Sequence, residues 1–523
     1  MTTSFGGYCI FSVLSIIPIV YGKERNIMWA MLEVIFLSML WSLLLPIILA
    51  ALPVALLLFL LRSLETGARF FASGAISLRR EDLLWMMGNE RNYQIISGFL
   101  ELDGLLNSID FENLLLQRLV NKRDEKGDRI YPQVTMHLEP GYMDFFWYPD
   151  SGFNISDHVI REKCVSDPEK LRIKIGEYVS RNFPDSTKSP WEFILIPFWD
   201  KDSGHKKTVV LFRLSHAISD GSSLAYFLIH VLSDNQPKSL VTIKKYTESQ
   251  RLMFYAKAIF WIPLVYLRLL LHQEERNAIR HSHGSGHRSK KTVSWSKALP
   301  LVLLKKKKNE LASTVNDVAV GCLAKAVRDH FQKSKRDCNS DDLSTEDTFS
   351  AVFAVDTRSN IQQAQIFQNH VAGVVESLPV ENSLSVGEHD NSIDEFITKT
   401  KHKFDRIKRI GAPIGIYLGW RAMAYLLPLC VLRPFVCKMV GKTTASISNL
   451  IGPQSEISIC GFRVRSLTFW PPPSGDQSMG ISFCSYDNHI RIGVVCDSEA
   501  LNDLGDLVSL FEENVLALQT ENV

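Results

Sequence analysis

Val34 to Leu61 is a run of 28 residues without a charge. Coiled as a helix it is about 42 Å long, more than the roughly 30 Å of a bilayer's hydrocarbon core. It spans a membrane with tilt, or bends at Pro46 and Pro53. Met1 to Gly22 is also uncharged, with an apolar centre from Tyr8 to Tyr21. That first stretch lacks the basic residue that precedes the apolar part of a signal peptide. A short loop with Lys23, Glu24, Arg25 and Glu33 separates the two. Arg62, Arg69, Arg79 and Arg80 follow the second. The positive-inside rule therefore places the bulk of the chain in the cytosol. Residues 1–72 are expected to be a membrane anchor of one or two transmembrane helices.

The remaining length is enough for more than one domain, since 523 residues at about 150 per domain predict roughly three units. Lys plus Arg is 58 against 56 Asp plus Glu, and that balance argues against a nucleic-acid binder. Nine cysteines without a C-x-x-C pair read as reduced thiols, with no metal-ligand spacing and no metal expected. Ala258–Leu267 and Ala422–Val431 are too short to span and read as core or membrane-surface helices.

Residues 77–275 read as mixed helix and strand. Helices are predicted over Asp110–Val120 and Leu171–Asn182, and strands over Glu192–Trp199 and Thr208–Ser215. Between Arg276 and Lys308 there are ten Lys/Arg and no acid, so 276–309 reads as a basic, flexible linker. It is either merely solvated or attracted to anionic lipid or to the phosphates of a soluble substrate. Residues 310–523 form a second unit. Ser313 is the predicted cap of a helix through Arg328. Asp337–Asp347 and Glu381–Asp394 read as polar loops. Ala445–Asn449, Arg463–Trp470, Gly480–Tyr486 and Ile490–Cys496 suggest a strand meander, closed by a helix over Glu499–Leu518.

The sharpest local feature is Leu214-Ser215-His216-Ala217-Ile218-Ser219-Asp220-Gly221-Ser222. It follows a strand in which Val210, Phe212, Leu214 and His216 share a face. It precedes an apolar helix, Leu224–Leu232, with Ser222 or Ser223 as the expected cap. His216 thus ends a strand, where a rigid scaffold can present an imidazole to a substrate. Gly221 is expected to allow a turn that a Cβ would hinder. Asp220 is expected to hold the loop by pairing with an Arg or with backbone N–H groups. On residue types alone, such a His is either structural or catalytic.

His-x-x-x-Asp-Gly after a strand resembles the acyltransferase superfamily that includes chloramphenicol acetyltransferase, carnitine acyltransferases and peptide-synthetase condensation domains. More narrowly, the chain resembles the wax ester synthase/diacylglycerol acyltransferase family. Ser189-Pro190-Trp191 stands where that family has a Pro-Leu-Trp-like motif, and Phe153–Val159 resembles the segment before it. Thr314-Val315-Asn316-Asp317-Val318 matches its Asn-Asp motif. Asp356-Thr357-Arg358 with Gln368-Asn369 resembles its Arg and Gly-Asn elements, with Gln in place of Gly. Ser448-Asn449-Leu450-Ile451-Gly452-Pro453 matches its Ser-Asn-x-x-Gly-Pro motif, and Ser485-Tyr486 through Asp497 its C-terminal pattern. The resemblance covers about residues 80–518. One position departs: where the family has two adjacent histidines, the first is Ser215 here, and the base aligns with His216.

The resemblance implies an α/β (α+β) fold of two chloramphenicol-acetyltransferase-like lobes around a central tunnel, behind the N-terminal transmembrane helices. It implies O-acyl transfer from acyl-CoA, a co-substrate rather than a cofactor, to a long-chain alcohol or diacylglycerol. His216 would be the general base, Asp220 and Gly221 would shape its loop, and Asn449 would donate to the oxyanion. Ser215, Trp191, Asn316, Asp317 and Ser448 would contact substrate. Blander roles compete: helix capping for Asn316 and Asp317, loop anchoring for Asp220, a turn for Asn449, core packing for Trp191. Partners would be the two lipidic substrates and membrane lipids, in the endoplasmic reticulum or plasma membrane. The alternative is a catalytically impaired lipid-binding or scaffold protein of the same fold, for which Ser215 is the main support.

Overall fold

The computed structural model describes residues 27–88, 92–201, 204–235, 237, 247–275, 277–280, 290–337, 348–380, 392–501 and 503–519. The first apolar stretch, most of the basic segment from 276 to 289, and the polar loops at 338–347 and 381–391 lie outside the described residues.

The second apolar stretch is one helix, α1 (Ile27–Ser73), continuous through Pro46 and Pro53. It is apolar around most of its circumference, with Leu43, Ile47 and Leu56 all exposed. Such a helix is stable in hydrocarbon and costly in water. Gly74, at a φ of 67°, ends it in the left-handed conformation that favours glycine. Its last turns are tied down. Glu65 accepts from the backbone N–H groups of Tyr142 (2.7 Å) and Met143 (2.8 Å). Arg62 donates to the carbonyls of Tyr425 and Leu427.

The first sheet has six strands. Its centre is β1 (Ile95–Leu102), β2 (Trp191–Trp199) and β3 (Lys206–Ser215), with β3 antiparallel to both others. Val159–Arg161 adds parallel to β2. On the other side of β1, Phe462–Trp470 pairs antiparallel, Leu467 opposite Leu100, and Ser458–Ile459 pairs beyond it at the edge. Phe462–Trp470 comes from the C-terminal half, so the expected meander does not form: its second strand leaves to complete the first sheet.

The second sheet has seven strands. These include β4 (Lys291–Trp295), β5 (Ser350–Asp356), β6 (Val371–Ser377), β7 (Ala445–Ile451), β8 (Met479–Tyr486) and β9 (His489–Asp497), in the order β6-β5-β7-β8-β9-β4. Leu299–Pro300 pairs β9 off this path. The expected linker is therefore partly sheet, and Leu301–Glu310 is helix. Lys291 is buried against Asp497, and Lys307 against Asp394 at 2.9 Å. Those two lysines are neutralised inside the fold rather than solvated.

Each sheet has its own core. Phe111, Trp191, Phe212 and Phe227 pack beside the first. Val318, Leu323, Phe483 and Phe511 pack beside the second. Burying each such side chain stabilises by about 1.5–3 kcal/mol. Five further helices carry candidate or cavity residues: α2 (Gly221–Tyr226), α3 (Glu248–Leu271), α4 (Val315–Asp337), α5 (Ala412–Leu426) and α6 (Leu429–Val440). Like Leu32–Ser73, α3 is long and apolar enough to cross a membrane, and longer than the ten apolar residues suggested. Two caps differ from expectation. Asp220, not Ser222 or Ser223, caps α2 by accepting from the Ser223 N–H. Thr314, not Ser313, caps α4: its Oγ1 accepts from the Asp317 N–H while Asp317 Oδ2 accepts from the Thr314 N–H.

Candidate active site

β3 alternates, so Val210, Phe212 and Leu214 enter the first core while the strand runs out at Ser215. His216 follows, its N–H donating to the Gln94 carbonyl at 2.8 Å. The chain then turns and Asp220 starts α2. Asp220 is buried and accepts from four donors. These are the Ser223 N–H, the His370 N–H (2.8 Å) and both terminal nitrogens of Arg358 (2.9 Å each). Arg358 also donates to Ser223 Oγ and to the Gln368 carbonyl. The buried pair thus stitches residues 356–370 to the histidine loop.

The stitched segment presents Asn369. Its Nδ2 donates to the His216 carbonyl at 2.8 Å, which turns Oδ1 toward the ring, 2.9 Å from His216 Nδ1. An amide oxygen only accepts, so Nδ1 carries the hydrogen and Nε2 keeps a free lone pair. Burial pushes His216 down to about 4, with Asp220 and Asn369 opposing. The imidazole is neutral at physiological pH. The Trp85 indole lies flat on it, centroids 3.4 Å apart and planes 9° from parallel. One turn earlier on the same 3₁₀ helix, buried Asp82 is pushed up to about 7, chiefly by desolvation.

His216 lines a cavity of about 1190 Å³, counting its mouth. The walls are apolar and come from distant parts of the chain: Leu84 and Met87, Leu269 of α3, Val352 of β5, Met423 of α5 and Val436 of α6. A second, more open cavity, about 1080 Å³ counting the solvent space at its mouth, lies beyond Trp85 and includes Ser215, Lys188 and Arg433 in its lining.

The other candidates are placed elsewhere. Trp191 is buried, stacks on His158 at 4.3 Å and donates from Nε1 to the Val134 carbonyl. It is core, away from the His216 cavity, because its strand faces the first core. Asn449 is exposed and donates from Nδ2 to Asn316 Oδ1 at 2.9 Å. Asn316 and Asp317 occupy the first turn of α4, where Asp317 completes the cap. None of these lines the His216 cavity, nor does half-buried Ser448. Asn449 and Asp317 stay outside the cavity lining, although the strand that carries Asn449 packs against α2. Gly221 does not need to be glycine for its turn. Its φ lies outside the left-handed region, and a Cβ there would meet no atom within 4 Å.

Asn369, Arg358, Trp85, Gln94 and Asp82 were not among the site residues read from sequence. The first two stood within motifs that carry the family resemblance. The aromatic face over His216 had no signal beyond a Trp in an apolar run.

The fold of two mixed sheets is that of solved condensation domains and of a wax ester synthase/diacylglycerol acyltransferase. The first condensation domain of the calcium-dependent antibiotic synthetase aligns at a TM-score of 0.53 and 11% identity, over 85% of this chain and 96% of that one. The wax ester synthase/diacylglycerol acyltransferase from Marinobacter aquaeolei VT8 aligns at 0.56 and 14%, over 85% and 99%. Residues 368–519 match the family model of the WS/DGAT C-terminal domain. Wax ester synthase/diacylglycerol acyltransferase 2 of Arabidopsis thaliana is 23% identical over 397 residues, 70% of this chain and 80% of that protein. The chain resembles the wax ester synthase/diacylglycerol acyltransferase family, both in sequence and in fold.

Proposed function

We propose that this protein transfers a fatty acyl group from acyl-CoA to the hydroxyl of a long-chain alcohol or diacylglycerol, with His216 as general base. The observation that carries this is the Asn369–His216 bond, which leaves Nε2 as the basic nitrogen of a neutral ring lining an apolar cavity. The hydroxyl oxygen attacks the thioester carbonyl and its proton passes to Nε2. The C–S bond then breaks and the proton moves to the departing thiolate. Such a base contributes about 10²–10⁴ in rate. With Asn449 outside the cavity lining, the Gln94 amide is the better candidate for the oxyanion donor. It lines the cavity, and its own contacts, 3.3 and 3.4 Å, are long enough to exchange. Asp220 acts through Arg358 and Asn369, as a positioning residue.

In this reading α1 holds the protein in the bilayer that stores both substrates. Its fixed C-terminal turns keep the cavity-bearing part close to the surface. The impaired, lipid-binding alternative finds less support: Ser215 lines the second cavity, and its change from His leaves the Asn369–His216 pair intact.

The test is an assay of membranes carrying the full chain, with labelled acyl-CoA against long-chain alcohols, diacylglycerol, sterols and amines. Ester formation with the first two is expected. Silence with every acceptor, from folded and membrane-inserted protein, overturns the proposal.

A further inference from the structure

We propose that Trp85 is a partition that decides whether the acyl group goes to an alcohol or is lost to water; this rests on the acyltransferase reading above. Two cavities meet at this side chain. The apolar one holds His216 and the other, with Tyr93, Asn182, Ser186 and Lys188 in its wall, holds Ser215. Trp85, Gly88 and Gln94 line both. Consecutive residues at the end of a strand point to opposite sides, so Ser215 and His216 serve different chambers. The indole completes the wall by lying flat on the imidazole.

The chemistry makes such a wall necessary. A neutral imidazole beside a thioester takes a proton from water as readily as from an alcohol. The water oxygen attacks the carbonyl, the C–S bond breaks, and fatty acid and CoA thiol result with no further reactant. Transfer prevails only where bulk water is kept from the base. Water in the second chamber, whose wall mixes polar and apolar side chains, meets Ser215 and the indole before it meets His216. The long chain of the alcohol fits the apolar chamber, where Leu84, Met87, Met423 and Val436 offer hydrocarbon walls. Trp85 therefore determines specificity for the acceptor, through exclusion of water rather than contact with the alcohol's hydroxyl.

Two readouts test this on the full chain in membranes, with Trp85→Ala and the milder Trp85→Phe. The first is the ratio of CoA release without acceptor to ester formed with saturating hexadecanol. Trp85→Ala is expected to raise that ratio about 10-fold or more, with Trp85→Phe between. A purely packing role would lower both rates together and leave the ratio unchanged. The second needs no turnover: a diazirine-bearing hexadecanol is photolysed and the labelled peptides are mapped. In the wild type, label is expected near Met423 and Val436 and absent from 182–190; in Trp85→Ala it is expected in both. An unchanged ratio in a variant that still makes ester, or label at 182–190 in the wild type, overturns the partition. Absence of ester from the wild type with every acceptor would instead sink the acyltransferase reading, and the labelling pattern would still decide the partition. If Trp85→Ala fails to fold, Trp85→Phe carries both readouts.

Discussion

Two polar clusters in this protein are built from similar parts and do different work. One is His216 with Asn369, Asp220 and Arg358; the other is Asn449 with Asn316, Asp317 and Thr314. Each joins a strand end to a segment more than 100 residues away, through amide and carboxylate hydrogen bonds. In the first, the bonds converge on a ring nitrogen beside an apolar cavity. In the second, they converge on the N–H groups of a helix end, with one amide in solvent. In the proposed function Asn369 takes part in chemistry because it controls the proton of a neighbour in a low-dielectric site, whereas Asp220 and Asp317 both satisfy backbone donors at a helix end.

The sharpest way to break this contrast is His216→Ala. Turnover is expected to fall by about 10² or more, with the folded protein still present in the membrane. Near-normal ester formation would dissolve the distinction between the clusters. Arg358→Ala comes next. It leaves the Asp220 carboxylate buried without its guanidinium, and breaking such a pair costs about 3–5 kcal/mol. Thermal unfolding should show that loss. A melting temperature within a degree or two of wild type would mean that the pair does not hold the segment bearing Asn369.

The pH dependence sharpens the electrostatic side. His216 is held at about 4 in the fold, against 6.5 for the free side chain. The acid limb of the activity profile is therefore expected near 4. The unfolded chain binds this proton first, so its stabilising contribution is complete above 6.5 and is lost as pH falls from there toward 4. Asp82 runs the other way. Its folded value of about 7 lies above the usual 3.8, so the folded state keeps the proton. Its contribution is complete below 3.8 and is lost as pH rises through 7. Asp82→Asn mimics the protonated acid and should stabilise the protein at pH 8 by about 1–4 kcal/mol, with little change at pH 4. Denaturation measured at both pH values checks this, and an equal effect at each would show that Asp82 is not protonated by burial.

Local structure was legible in the sequence where a period or a turn signal encodes it. The strand entering His216, the turn at Asp220-Gly221 and the helix after it stand close to where their residue pattern put them. What was not legible is partnership. Nothing in the period of Arg463–Trp470 says that it pairs with β1 rather than with its sequence neighbours. Likewise Asn369 reaches His216 across 153 residues, and no local pattern records such a bond. Trp191 shows a related limit: a Trp next to a motif looks the same in sequence whether its ring meets substrate or, as here, His158. The caps failed by one to three residues because Ser, Thr and Asp compete for the role. Only the backbone path decided for Asp220 and Thr314.

The smallest effects belong to the second cluster. Thr314→Ala removes the acceptor for the Asp317 N–H, so it should cost about 1 kcal/mol of stability, the usual worth of a cap. Asn449→Ala removes one exposed amide contact, whose loss is expected to stay within about 0.5 kcal/mol because water replaces it. Neither change touches the His216 cavity, so substrate affinity and turnover should both remain near wild type. The Asn449 variant is the more telling, because Ser-Asn-x-x-Gly-Pro made this side chain the natural choice for an oxyanion donor. Suppose turnover instead drops by about 10² or more, as it does when an oxyanion donor is removed, with stability unchanged. Asn449 would then have to swing to the cavity when substrate binds, and the second cluster would be a resting arrangement of the first. Unchanged kinetics, together with slowed turnover in Gln94→Leu, would move the donor to the residue that already lines both chambers beside His216.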